Sequence, residues 1–217
     1  MKLRRRLTAE ALGTAFLLAT VIGSGIMGER LAGGNVAIAL LANAIATGAA
    51  LMALIHAFGP VSGAHFNPAV TLVMALRGEM SQRDAIAYIV VQIIAAYAGV
   101  ACAHLMFGEP LFVESLKVRS GGAQWWSEIV ATFGLITVIL ACARSNAAAY
   151  VVGAYITAAY WFTASTSFAN PAVTLARATS NTFAGIRFTD VPMFIAAQLA
   201  GALLAAAVMG WLLRGED

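Results

Sequence analysis

Charge is scarce in this chain. Of its 217 residues, 13 are Lys or Arg and 10 are Asp or Glu, together 11%. A soluble domain carries about 25%. With 61% hydrophobic residues and a mean hydropathy of +0.83, the composition is that of an integral membrane protein. Cysteine is scarcer still. Cys102 and Cys142 both lie in apolar runs, which argues against a disulfide framework. They read as small packing residues, with a metalloid-binding thiol pair as the alternative. His56, His65 and His104 are scattered. No metal-ligand spacing and no nucleophile–base–acid group emerges, so neither an enzyme nor a cofactor is indicated. The net charge of +3 sits at the ends of apolar runs and does not point to nucleic acid.

What is present is a repeat. Asn67-Pro68-Ala69-Val70-Thr71-Leu72 returns letter for letter as Asn170-Pro171-Ala172-Val173-Thr174-Leu175. Asn is a strong helix N-cap and Pro is favoured at the first helical position, so each copy reads as a helix start. The helices predicted from them, 67–77 and 170–179, are short. About ten residues rise roughly 15 Å, half the hydrocarbon thickness of roughly 30 Å. Broken helices at matching positions in two halves point to a midplane site in a transport protein. Gly59 to Phe66 is expected to be the extended lead-in to the first half-helix, because Gly and Pro break helices. Non-helical backbone at that depth must be buried in protein or line a watery cavity. If each Asn oxygen caps its own helix, its NH2 donors stay free for a solute oxygen. Two helix N-termini, each roughly half a positive charge, meet there and oppose cations.

Six spans are expected: 7–27, 36–58, 85–107, 125–143, 147–164 and 193–213. Met1-Lys2-Leu3-Arg4-Arg5-Arg6 before an apolar run is similar to the start of a signal peptide, but the run is too long and no small-residue cleavage site is evident. It reads as an uncleaved first span. The longest polar connection, 108–122, separates a first half, 1–112, from a second, 113–217. The halves match beyond the motif: Glu10 with Thr14 against Glu128 with Thr132, and Gln92 against Gln198. Three spans per half is odd, so the halves are inverted and their half-helices enter from opposite faces. The fold class expected is therefore all-α, with six transmembrane helices and two re-entrant half-helices in an inverted repeat.

Placing the N-terminus in the cytoplasm leaves Lys2, Arg4, Arg5, Arg6, Arg77, Arg83, Arg144 and Arg214 inside, against Arg30, Lys117, Arg119, Arg177 and Arg187 outside. That bias favours cytoplasmic termini at the inner (plasma) membrane. Glu10 and Glu128 are acids within spans, where charge is costly and usually functional. They are candidates to hold the backbone N–H groups of the re-entrant loops. The competing reading is a glutamate near a helix start that snorkels to the interface.

The chain resembles the aquaporin and glycerol-facilitator (major intrinsic protein) family over essentially its whole length. Ser62-Gly63-Ala64-His65-Phe66-Asn67-Pro68-Ala69-Val70, the second Asn170-Pro171-Ala172, and Glu10 with Glu128 carry the resemblance. The resemblance implies a homotetramer with one passive pore per subunit, His65 in the pore loop, and a narrow outer filter. Most members have Arg directly after the second Asn-Pro-Ala; here it is Val173. Counting back from the motifs puts the other filter positions at Thr47, Ala158 and Ser167, and the usual Gly four residues before the second Asn is Thr166. Arg177 reads as a surface or loop-bracing charge; the other reading has it reach the pore mouth and complete the filter of a water-dominated channel. The Asn-Pro-Ala-Val variant and the run from Tyr160-Trp161-Phe162-Thr163 to Phe168 resemble bacterial arsenic-resistance aquaglyceroporins. A wide, nearly uncharged filter then implies neutral trivalent arsenic hydroxide, polyols and water as solutes. A coupled secondary transporter and a junction protein without flux are the alternatives from other classes.

Overall fold

The computed structural model describes residues 1–143 and 145–213, so Arg144 and Arg214, both counted above for orientation, lie outside the described residues. Among the described residues eight α-helices follow one another: α1 Leu3–Leu31, α2 Val36–Ser62, α3 Pro68–Leu76, α4 Gln82–Phe107, α5 Gly122–Ala141, α6 Ala148–Phe162, α7 Pro171–Arg177 and α8 Val191–Leu212. A 3-10 turn, Phe188–Asp190, leads into α8. Five helices are long and apolar enough to cross a membrane, and α6, at 15 residues, is shorter. The two half-helices have 9 and 7 residues.

Helix α1 packs on α2 and α4, α5 on α6 and α8, and α2 on α6 across the two halves. Small residues let the backbones approach, as membrane helices without a hydrophobic drive require. A Cβ at Gly99 of α4 would overlap the Ala15 carbonyl of α1, and one at Gly201 of α8 would overlap the Ile129 carbonyl of α5. The outward faces carry exposed Phe16, Ile94, Trp126 and Trp211, suited to lipid.

The expected break at Gly59-Pro60 does not occur. Helix α2 runs through Pro60 to Ser62 and ends at Gly63, whose φ of 89° places it in the left-handed region. Its N–H closes the last turn on the Gly59 carbonyl at 2.9 Å. Gly there meets no Cβ penalty. The lead-in to α3 is therefore the short stretch from Gly63 to Phe66, not eight residues.

Candidate functional site, a pore between two half-helices

Each half-helix is capped by its own asparagine. Asn67 Oδ1 accepts from Ala69 N at 2.9 Å, and Asn170 Oδ1 accepts from Ala172 N at 3.0 Å and Val173 N at 3.3 Å. Pro68 and Pro171 open the helices where an N–H is not needed. The free ends of the two amides then cross. Asn67 Nδ2 donates to the Ala169 carbonyl at 2.7 Å, and Asn170 Nδ2 to the Phe66 carbonyl at 2.8 Å. One hydrogen of each NH2 is thus engaged, not free as the sequence reading had it, and one remains.

The residues before each Asn have matching backbones. Gly63, Ala64 and Phe66 have φ of 89°, 51° and 47°; Thr166, Ser167 and Ala169, at the same offsets, have 60°, 49° and 48°. Thr166 therefore adopts the backbone that Gly63 adopts, at a steric cost for a β-branched residue. Each strained loop hangs from a buried glutamate. Glu10 accepts from His65 N at 3.0 Å, Phe66 N at 2.7 Å, Ser62 Oγ at 2.7 Å and Gln92 Nε2 at 2.8 Å. Glu128 accepts from Phe168 N and Ala169 N, both at 2.9 Å, and Gln198 Nε2 at 2.6 Å. Both glutamates have no exposed surface, which excludes snorkelling. The two glutamines continue to Thr71 Oγ1 at 3.0 Å and Thr174 Oγ1 at 2.8 Å, tying each half-helix to its clamp. The hydroxyls of Thr14 and Thr132, paired with the glutamates in sequence, make no hydrogen bond.

A cavity of about 340 Å³ passes between these loops. It is lined from Glu79 and Ala143, on the face that carries the N-terminus, to Arg177 on the opposite face. Its walls repeat in register. Leu17 and Val21 of α1 match Leu135 and Ile139 of α5, and Thr47, Leu51 and Ile55 of α2 match Val152, Ile156 and Tyr160 of α6. Val70 and Met74 of α3 match Val173 and Arg177 of α7. Asn67, Asn170, His65 and Ser167 complete the wall, with His65 Nδ1 3.1 Å from Thr71 Oγ1.

Of the filter positions counted from the sequence, Thr47, Ser167 and Val173 line the cavity. Ala158 does not. It lies on the exposed face of α6, and Tyr160 faces the cavity instead, with its hydroxyl 3.3 Å from Thr47 Oγ1. Two positions along a helix are turned by about 200°, so Ala158 and Tyr160 cannot both face the pore. The spacing of Val152, Ile156 and Tyr160, four residues apart along one face, was the signal for it.

Arg177 is no surface charge. It is 1% exposed, its Nε donates to the Ala184 carbonyl, and its guanidinium lies 3.4 Å from the centre of the Phe168 ring. Arg119, which the sequence did not single out, comes from the connection between α4 and α5. Its Nε donates to the Gly185 carbonyl at 2.8 Å and its Nη1 to the Ser165 carbonyl at 3.0 Å. Burial lowers its pKa to about 10, so it keeps its charge at neutral pH. Among the described residues no cluster of His, Cys, Asp and Glu could hold a metal ion.

Residues 1–151 and 142–216 both match the family described as Major intrinsic protein. The chain belongs to the major intrinsic protein family. It is 58% identical over 214 residues to aquaglyceroporin AqpS of Rhizobium meliloti (strain 1021), covering 98% of this chain and 91% of that one. It is 36% identical over 210 residues to aquaporin NIP1-4 of Oryza sativa subsp. japonica, covering 92% and 74%. In fold it is similar to the aquaglyceroporin from Plasmodium falciparum, with a TM-score of 0.71 at 18% identity and 95% coverage of each chain. The five long helices, the shorter α6 and the two half-helices are the aquaporin fold of this family. A major intrinsic protein is a membrane-spanning channel for water and small solutes and not an enzyme.

Proposed function

We propose that the pore passes small neutral solutes wider than water, namely glycerol-like polyols and trivalent arsenic hydroxide, together with water. The observation that carries this reading is Val173. It faces the cavity at the position where the family resemblance calls for arginine. Thr47 and Ser167 line the same passage, with Tyr160 beside Thr47. A small hydroxyl, a second hydroxyl and a valine leave more room than a guanidinium and offer apolar surface to a solute's carbon or arsenic face. Pore width and lining donors set selectivity in such channels. The Ser167 hydroxyl is buried and has no partner within the protein, so it adds no fixed dipole that narrows the passage.

Asn67 and Asn170 each keep one donor for the solute at the midplane, and Pro68, Ala69, Pro171 and Ala172 fix the helix starts behind them. Glu10 and Glu128 hold the loops, and His65 offers a ring nitrogen along the wall. In this reading the halves 1–112 and 113–217 form one pore, four copies assemble as a homotetramer in lipid, and both termini lie in the cytoplasm at the inner membrane. The name of the Rhizobium relative, an aquaglyceroporin, supports the polyol part of the reading.

Stopped-flow light scattering on proteoliposomes tests it. Wild type is expected to pass water, glycerol and arsenite, and Val173→Arg to lose glycerol and arsenite flux much more than water flux. Wild-type flux of water alone, unchanged by Val173→Arg, would sink the solute assignment.

A further inference from the structure

Without an arginine at position 173, the wide pore lacks its usual positive charge at the filter. A passage wide enough for glycerol is also wide enough for hydrated potassium to approach. The midplane helix ends supply only partial charges. A full charge is nevertheless present one turn outward. Residue 177 follows 173 by four positions, about 6 Å further along α7. It shares the cavity-facing stripe of that half-helix, as Met74 shares the stripe with Val70 on α3.

We propose that Arg177 is the cation barrier of this pore, an arginine displaced by one helical turn from the narrow filter into the mouth. Three observations converge on it. Its side chain lines the cavity although it is 1% exposed. Its Nη1 is buried with no hydrogen-bond partner, while Nε is fixed on the Ala184 carbonyl. Its charge is not cancelled: the ion pairs among the described residues are Arg6–Asp84, Arg30–Glu109, Arg77–Glu79 and Arg187–Asp190, none of which involves it. Its charged surroundings are largely cationic. Phe168 stacks against Arg177 at 3.4 Å and also carries Arg119 at 4.9 Å, and Lys117 lies on the same side with its amine over Phe183. Of the buried acids on this side, Glu128 is occupied by Phe168 N, Ala169 N and Gln198 of α8, and Asp190 by Arg119 N and Arg187. At the other mouth the matching position is the uncharged Met74.

The displacement separates two tasks that one filter arginine combines. A guanidinium at 173 both narrows the passage and repels cations. At 177, packed flat on Phe168, it repels cations from a wider vestibule and leaves the constriction to Thr47, Ser167 and Val173. The proposal rests on the reading of position 173 given above and assigns the ion selectivity that this reading leaves open.

The test is potassium conductance and glycerol flux of the same proteoliposomes. Arg177→Gln is expected to raise potassium leak roughly tenfold or more, the scale of a unit charge acting over several Å through partly solvated protein. Glycerol flux should stay within about twofold of wild type, while Arg177→Lys stays tight to potassium. Arg177→His switches the charge within one folded protein, so it is expected to leak at pH 8 and close at pH 5. Folding is checked by osmotic water flux. Water-conducting Arg177→Gln and Arg177→His that remain as tight as wild type at pH 8 would overturn the barrier and leave Arg177 as a brace for Ala184. Absent glycerol flux in wild type would instead overturn the solute reading and leave the potassium comparison decisive for Arg177.

Discussion

Asn67 and Asn170 hold each other's loops. Each caps its own half-helix with oxygen and donates a nitrogen hydrogen across the midplane, to Ala169 at 2.7 Å and to Phe66 at 2.8 Å. The two accepting residues are the ones held in the left-handed region directly before each Asn, with φ of 48° and 47°. The strain turns each carbonyl toward the opposite amide, so the two motifs are parts of one joint.

Asn170→Asp separates the cap from the cross-link. Aspartate still caps, but it has no hydrogen to give to Phe66 and sets a negative charge against a carbonyl oxygen. Loss of a buried partner of this kind costs about 1–3 kcal/mol. Lower thermal stability in detergent and reduced water flux are expected. A variant as stable and as conductive as wild type would show that the cross-link is dispensable.

Glu128→Gln removes the charge that three donors converge on. Its amide nitrogen must then face at least one N–H, leaving a buried donor unpaired. A destabilisation on the order of 3 kcal/mol is expected, read as a lower melting temperature and poor membrane yield. An unchanged melting temperature would mean that Arg119 and the Asn67 amide hold the loop from Ser165 to Ala169 without the glutamate.

Thr166→Gly relieves a β-branched residue at φ 60°. The weak contact of Arg119 Nη1 with Thr166 Oγ1, 3.4 Å, is given up, but Arg119 keeps the Ser165 carbonyl. A net gain of about 0.5–1 kcal/mol is expected, with glycerol flux unchanged. A fall in melting temperature would show that the threonine contributes more than the backbone loses.

Lys117 gives the outer connection a pH dependence. Burial, then the nearby Arg119 and Arg177, lower its pKa from 10.5 to about 8. Between those values the unfolded chain binds a proton that the folded chain has released. Stability therefore rises as pH increases through that window, and the buried charge weighs fully against the fold below it. Lys117→Met is expected to lose this alkaline gain when melting temperatures are compared at pH 7 and pH 10. Parallel curves for the two proteins would exclude Lys117 as the source.

Much of this was legible in the sequence because the chemistry recurs in type and spacing. The paired Asn-Pro motifs open the two half-helices, and Glu10 with Gln92 and Glu128 with Gln198, matched between the halves in the sequence, make matching hydrogen bonds. Other features were not. Ala158 was placed by counting from the motif, which ignores how far a helix turns between the counted residue and the pore; Tyr160 takes the wall instead. The break expected at Pro60 came three residues later, because a proline near a helix end removes one bond while Gly63 provides the left-handed stop. Arg119 gave no signal, since it lies in an aperiodic connection and reaches carbonyls at Ser165 and Gly185, far along the chain. The crossing of the Asn amides was hidden for the same reason: each partner lies about a hundred residues from its donor.

The pairing of Met74 at one mouth with Arg177 at the other makes the passage chemically lopsided inside a fold that is nearly symmetric. For a neutral solute this lopsidedness cannot act as a valve. Whatever helps the solute in at one end helps it equally on the way out, so net movement follows concentration alone. A charged visitor meets a different protein from each side: from the Met74 end it travels most of the wall before it feels the guanidinium, and from the other end it is turned back at the door.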